Sequence, residues 1–105
     1  MKKLDYTIVF GFHATKHDDA KSVTTSKRRK SIKSATYDEV VKMATSLLRK
    51  YKNEANAYSG EAAIKIRSKE GGYYYVCAFY INYRAEVKTY TLLTANDVEK
   101  IPEFN

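Results

Sequence analysis

Four consecutive cations, Lys27 to Lys30, are the strongest chemical signal in the chain, and Lys33 adds a further charge three residues later. Such a run is tolerated where the side chains stay in water or meet a counter-charge, which phosphate groups supply. Two of the four are arginines, whose planar guanidinium groups can hold a phosphate through two hydrogen bonds. The run therefore predicts contacts with a polyanion. The alternatives are a solvated segment that keeps a small protein soluble and a nuclear-targeting signal.

A second candidate surface combines tyrosines and cations in the second half of the chain. If the apolar residues of 62–66 point toward a helix, strand alternation places Lys65, Arg67, Tyr74 and Tyr80 on the opposite face of a sheet. Aromatic rings stack on bases while cations neutralise phosphates, a combination that single-strand binders use. Tyrosines are also favoured on strands and in protein interfaces. The pattern is therefore compatible with a nucleic-acid or a protein partner.

Patterns for catalysis and metal binding are weak. His13, His17, Asp18 and Asp19 carry metal-ligating groups, but the i, i+4 spacing brings two histidines together on a helix, and His13 ends a predicted strand. Cys77 has apolar neighbours, among which a thiol behaves as a small hydrophobic group. No glycine-rich phosphate loop or serine elbow is present. We predict no enzymatic activity, no metal, no cofactor and no small-molecule substrate.

The positive charge is concentrated in the first half of the chain. The 105 residues carry a formal net charge of +7, with +1 in 1–13, +5 in 14–35, +2 in 37–52 and −1 in 53–105. A concentrated positive field attracts polyanions and speeds their encounter. No apolar run is long enough to span a membrane, and the first residues lack an export signal. With a single cysteine, the expected location is a reducing compartment, the cytoplasm or the nucleus, and we predict the cytoplasm.

The first 35 residues predict a strand followed by a basic loop. Residues 6–13 alternate apolar and polar side chains, which is typical of a strand with one buried face. Residues 14–35 contain two large apolar residues and no periodic apolar face, so we expect a basic loop or arm there. A β-hairpin that pairs 21–25 with 31–34 is the structured alternative.

An amphipathic helix is predicted from residue 37 to about residue 53. Thr36 and Glu39 fit a capping box, and an apolar stripe with i, i+3, i+4 spacing follows them. The solvent side of this helix carries Lys42, Arg49 and Lys50.

The second half predicts three strands and a short helix. The strands are expected at 62–67, 73–83 and 86–93, and the glycines of 69–72 indicate a hairpin turn between the first two. Thr94, with Asp97 three residues later, is expected to cap a short helix that ends before Pro102.

Together these elements predict a two-layer α+β domain over residues 1–105, in β-α-β-β-β order with a short C-terminal helix. An antiparallel sheet of about four strands, with the first strand at an edge, would pack on the amphipathic helix.

The leading functional hypothesis is a small non-enzymatic nucleic-acid-binding domain. The alternative is a small phage or mobile-element protein, similar in size and character to anti-CRISPR proteins. It would use the same basic surface or the tyrosine-rich sheet to bind an acidic surface of a nucleic-acid-handling host protein and inhibit it. The predicted phosphate contacts are Lys27, Arg28, Arg29, Lys30, Lys33, Lys42, Arg49 and Lys50.

Overall fold

Five antiparallel strands form one sheet, and a long helix covers one of its faces. The computed structural model describes residues 2–14 and 24–105. The strands are β1 (Leu4–His13), β2 (Thr24–Ala35), β3 (Ser59–Arg67), β4 (Tyr73–Ile81) and β5 (Val87–Thr91), in the spatial order β2-β1-β3-β4-β5. The helices are α1 (Tyr37–Glu54) and α2 (Ala95–Glu99), and a 3-10 turn (Pro102–Phe104) ends the chain. The predicted α+β class is confirmed, with five strands instead of about four. No helix within the described ranges is long and apolar enough to cross a membrane.

Strand β2 corrects the prediction of a basic loop over 14–35. Residues 24–35 form a strand that pairs antiparallel with β1, for example Ser31 with Thr7. The hairpin alternative is wrong for the described residues, since 31 and 32 pair with β1 while 24 and 25 belong to the same strand as they do. Residues 15–23, which include His17, Asp18 and Asp19 of the metal candidate, lie outside the described residues.

β2 pairs with β1 because the buried backbone of β1 needs hydrogen-bond partners on both edges. Tyr6, Ile8, Phe10 and Phe12 of β1 are buried, and a strand buried this deeply needs backbone partners on both sides. β3 supplies one partner and β2 the other, so β1 lies inside the sheet and not at its edge. An edge strand rich in charged and hydroxyl side chains resists pairing with further chains. An edge strand of this kind can form without alternating apolar residues. Because that alternation is the signal used to predict strands, β2 was not predicted.

Helix α1 forms where its capping signals predict it. The Thr36 hydroxyl accepts a hydrogen bond from the Glu39 N–H at 3.3 Å, and the Glu39 carboxylate accepts one from the Thr36 N–H at 2.9 Å. That backbone hydrogen bond lowers the pKa of Glu39. Val40, Ala44 and Leu48 of the apolar stripe are fully buried against the sheet. The smaller predicted capping box, Thr94 with Asp97, is likewise present at α2.

A β-bulge at Val76 in β4 sets which tyrosines share a face. Ile64 lies opposite Cys77, but the next residue, Lys65, lies opposite Tyr75, so Val76 is the extra residue. Both Val76 and Cys77 are buried. The Val76 carbonyl accepts hydrogen bonds from the N–H groups of residues 92 and 93, both at 3.0 Å. Side chains before and after the bulge are therefore out of phase by one residue.

Gly60 in β3 is required by the ring of Phe12. A Cβ atom at position 60 would lie 2.5 Å from Cδ1 of Phe12, so Gly60→Ala forces the ring or the strand to move. We predict that Gly60→Ala lowers the free energy of unfolding by about 1–3 kcal/mol, as overpacking does elsewhere. Urea denaturation followed by far-UV circular dichroism measures the loss. In a Phe12→Leu background the loss should be smaller, and an equal loss in both backgrounds would show that the ring is not the obstacle.

Candidate nucleic-acid interface

The sheet face opposite α1, called the open face below, carries no helix from the described part of the chain. α1 packs on the other face, where the ring of Tyr51 meets Phe10 edge to face with centroids 5.1 Å apart. The antiparallel registers align open-face side chains in rows that run across the strands. These rows are Lys27–Gly11–Glu61–Tyr80–Lys88, Arg29–Val9–Ala63–Ala78–Tyr90, Ser31–Thr7–Lys65–Tyr75 and Arg67–Tyr73.

Strand alternation divides the four-cation run between the two faces of the sheet. Lys27 and Arg29 lie on the open face, whereas Arg28 and Lys30 lie on the side of α1. Arg28 is engaged there: its Nη1 lies 2.6 Å from Oε1 of Glu54, and its Cζ lies 4.5 Å from the centre of the Tyr51 ring. The run therefore does not form one cluster of charge.

The predicted cations of α1 lie on the opposite side of the molecule from the open face. Lys42, Arg49 and Lys50 are exposed on the solvent side of the helix, away from the sheet. Lys33 is exposed near the end of β2, beside the irregular pairing between the ends of β1 and β2. The structure therefore does not bring these cations together with Lys27 and Arg29.

Tyr74 does not share the face predicted for it. Lys65, Arg67 and Tyr80 lie on the open face as expected, but Tyr74 pairs with Ile66 on the α1 side. Its hydroxyl lies 3.2 Å from Oε2 of Glu103, to which it donates, and its ring meets that of Phe104 at a centroid distance of 6.0 Å. The bulge at Val76 causes this difference. Simple alternation counted back from Tyr80 places Tyr74 on the open face, but the extra residue shifts the alternation by one and places Tyr75 there instead.

Glu103 ties Tyr74 to the turn between β3 and β4. Its Oε1 accepts a hydrogen bond from the Lys69 N–H at 2.8 Å, and Oε2 accepts one from the Ser68 hydroxyl at 3.1 Å. The Lys69 hydrogen bond is the main reason why the pKa of Glu103 is lowered. Partial burial and the neighbouring Glu103 carboxylate raise the pKa of Tyr74. Tyr74 is thus part of the structural support of this turn.

Tyr73 and Tyr75 take the place of Tyr74 on the open face. They are 41% and 50% exposed, and their ring centroids lie 6.5 Å apart. Lys65 lies beside them, only 8% exposed, with its Nζ 3.7 Å from the centre of the Tyr73 ring. This cation–π contact fixes the position of the ammonium group. Because Tyr73, Tyr74 and Tyr75 are consecutive on a strand, at least one of their rings must lie on each face of the sheet. The sequence could therefore have predicted a tyrosine on the open face, but not which one.

A shallow groove of about 700 Å3 crosses the open face. The backbone of Gly11 and the methyl groups of Ala63 and Ala78 form its floor, and Tyr80 and Tyr90 lie at the β4–β5 side. Lys27 lies at the β2 side, and Glu61 is the only carboxylate among the described residues that line the groove. Sequence reasoning missed Lys88, because which face of β5 it occupies depends on the pairing with β4.

Within residues 2–14 and 24–105, no three His, Cys, Asp or Glu side chains are grouped so that they could hold a metal ion. Burial raises the pKa of the Cys77 thiol.

Comparisons with family models, curated proteins and solved structures find no match for the chain.

The division of the cationic run predicts different effects of two neighbouring substitutions. Arg28→Ala removes the ion pair with Glu54 and the contact with Tyr51, so it should lower the free energy of unfolding by about 1 kcal/mol. Arg29→Ala should change it by less than about 0.5 kcal/mol, as expected for an exposed side chain. Urea denaturation of both variants at one ionic strength measures the difference. Equal losses would contradict the assignment of these side chains to opposite faces.

Proposed function

We propose that this protein is a small non-enzymatic nucleic-acid-binding domain whose interface is the open face of the sheet. The observation that carries the proposal is the charge of that face. Its rows hold five cations, Lys27, Arg29, Lys65, Arg67 and Lys88, against the carboxylate of Glu61, and Glu86 lies at the end of the same face beside Tyr80 and Lys88. Such an excess favours an anionic ligand and speeds its encounter with the protein.

The positions of the cations support a polyanion as the ligand. Lys27 and Arg29 lie on β2, and Lys88 lies on β5, at the opposite edge of the sheet. Lys65 and Arg67 lie between them on β3. Charges spread over the width of a sheet suit a ligand with many phosphates, and each phosphate contact releases counterions.

The aromatic side chains of the open face support a nucleic acid over other polyanions. Tyr73, Tyr75 and Tyr90 expose between 41% and 54% of their surface, and they lie in the same rows as Arg67, Lys65 and Arg29, respectively. Tyrosine rings can stack on bases, which phosphorylated lipids and polyphosphates do not have. A domain with this role would act in the cytoplasm, where a single cysteine stays reduced.

The proposed interface is narrower than the set of residues that the sequence suggested. It keeps Lys27, Arg29, Lys65, Arg67 and Tyr80. It leaves out Arg28 and Lys30, which lie on the α1 side, and the helix cations Lys42, Arg49 and Lys50. Two doubly substituted variants can therefore separate the two surfaces at equal net charge.

Binding is tested by fluorescence anisotropy with labelled single-stranded and duplex oligonucleotides, from about 50 mM to about 200 mM salt. Lys27→Ala with Arg29→Ala should weaken binding and lower the slope of log affinity against log salt by about 0.7–0.9 for each lost contact. Lys42→Ala with Arg49→Ala removes the same charge from α1 and should leave the slope nearly unchanged.

Equal effects of the two double variants would contradict the open face as the interface. No binding of either oligonucleotide at low salt would overturn the proposed function. Stoichiometric retention of one protein on the purified domain after nuclease treatment, without nucleic-acid binding, would favour the protein-binding alternative.

A further inference from the structure

We infer that the ligand of the open face is a single-stranded nucleic acid, with bases stacked in the groove beside Tyr80 and Tyr90. This inference rests on the proposed function and specifies its substrate class. It comes from the shape of the groove and from the order of side chains across it, which are independent of the total charge.

Across the groove, a cation lies at one side and an aromatic ring at the other. The row that crosses its centre begins with Arg29 on β2, continues through Val9, Ala63 and Ala78, and ends with Tyr90 on β5. Adjacent strands lie about 4.8 Å apart, so the cation and the ring are separated by roughly 19 Å of sheet. A single nucleotide is shorter than this, so a base at Tyr90 would have its own phosphate near Lys88, and Arg29 would contact a phosphate farther along the strand.

The small residues of the floor make room for a flat ring. Gly11, Ala63 and Ala78 lie on three adjacent strands, and large side chains flank them on both sides. A base that enters this depression contacts alkyl groups below and a tyrosine ring at its side. Filling the floor with larger side chains would close the groove without a change in charge.

A duplex cannot use these features. Its bases are already stacked on one another, and its outer surface presents phosphates and base edges. A single strand can direct its bases outward onto aromatic side chains while cations follow its backbone. An interface that binds only duplex would need the cations of the open face, but it would not need the exposed tyrosine rings or the small residues on the floor of the groove.

A second pair of rings extends the same surface along β4. Tyr73 and Tyr75 lie five to seven residues before Tyr80, which corresponds to roughly 16–23 Å of strand. Lys65 lies beside this pair, with its ammonium group held at the Tyr73 ring. A flexible single strand can follow β4 from one pair of rings to the other. The two pairs therefore predict a site of several nucleotides.

The test compares oligothymidine of about 15 nucleotides with a duplex of equal length, by anisotropy at one low salt concentration. Oligothymidine should bind at least about tenfold more tightly than the duplex. Tyr80→Ala with Tyr90→Ala should weaken the binding of oligothymidine by about tenfold or more, because each stacked base is lost. The control, Tyr80→Phe with Tyr90→Phe, keeps both rings and should retain most of the affinity. Circular dichroism checks folding, and Tyr90→Ala alone, at an exposed position on an edge strand, provides a variant with little risk to the fold.

The possible failures are distinguishable. Duplex binding that equals or exceeds the binding of oligothymidine overturns the inference and leaves the proposed function standing. Loss of affinity in the phenylalanine variant equal to that in the alanine variant also overturns it, because stacking needs the ring and not the hydroxyl. Absence of binding to both oligonucleotides removes the proposed function itself.

Discussion

The backbone pairing of β1 on both of its edges is the constraint on which the rest of this structure depends. Four large side chains of β1 are buried against α1, which places the strand deep in the sheet. Its N–H and C=O groups then need partners on both sides, because an unpaired buried backbone group is costly. β2 meets this need, and its charged residues are therefore held in a strand beside β1. The basic run is thus part of the fold as well as a candidate site.

Pairing with β1 also decides what each cation can do. Arg28 turns toward α1 and joins Glu54 and Tyr51, so it contributes to packing. Lys27 and Arg29 turn toward the open face, where the tyrosines of β4 and β5 lie in the same rows. One strand therefore provides both a structural contact and two cations for a ligand. The bulge at Val76 has a comparable effect on β4, since it sends Tyr74 to the structural side and Tyr73 and Tyr75 to the open face.

Much of the fold could be predicted from local signals. The capping boxes at Thr36 and Thr94, the apolar stripe of α1 and the alternation in 6–13 reflect interactions within a few residues, and all are confirmed. The glycines of the turn between β3 and β4 have φ of +101° and +75°, as such a turn requires. β2 could not be predicted, because an edge strand without an apolar face is specified by its partner. For the same reason, the sequence predicted the shared face of Lys65, Arg67 and Tyr80 but placed Tyr74 on it wrongly, because the bulge in β4 is a long-range feature.

The central claim, that the ligand lies on the open face, is tested most directly by the methyl resonances of four alanines. Ala63 and Ala78 lie on the floor of the groove, whereas Ala35 and Ala44 are buried in the core and do not line the groove. On titration with oligothymidine, the account predicts saturable shifts of the Ala63 and Ala78 methyl signals, because stacked bases impose ring-current fields there, and much smaller shifts of the other two. Shifts that are largest at Ala44, or that leave Ala63 and Ala78 unmoved at saturation, would contradict it.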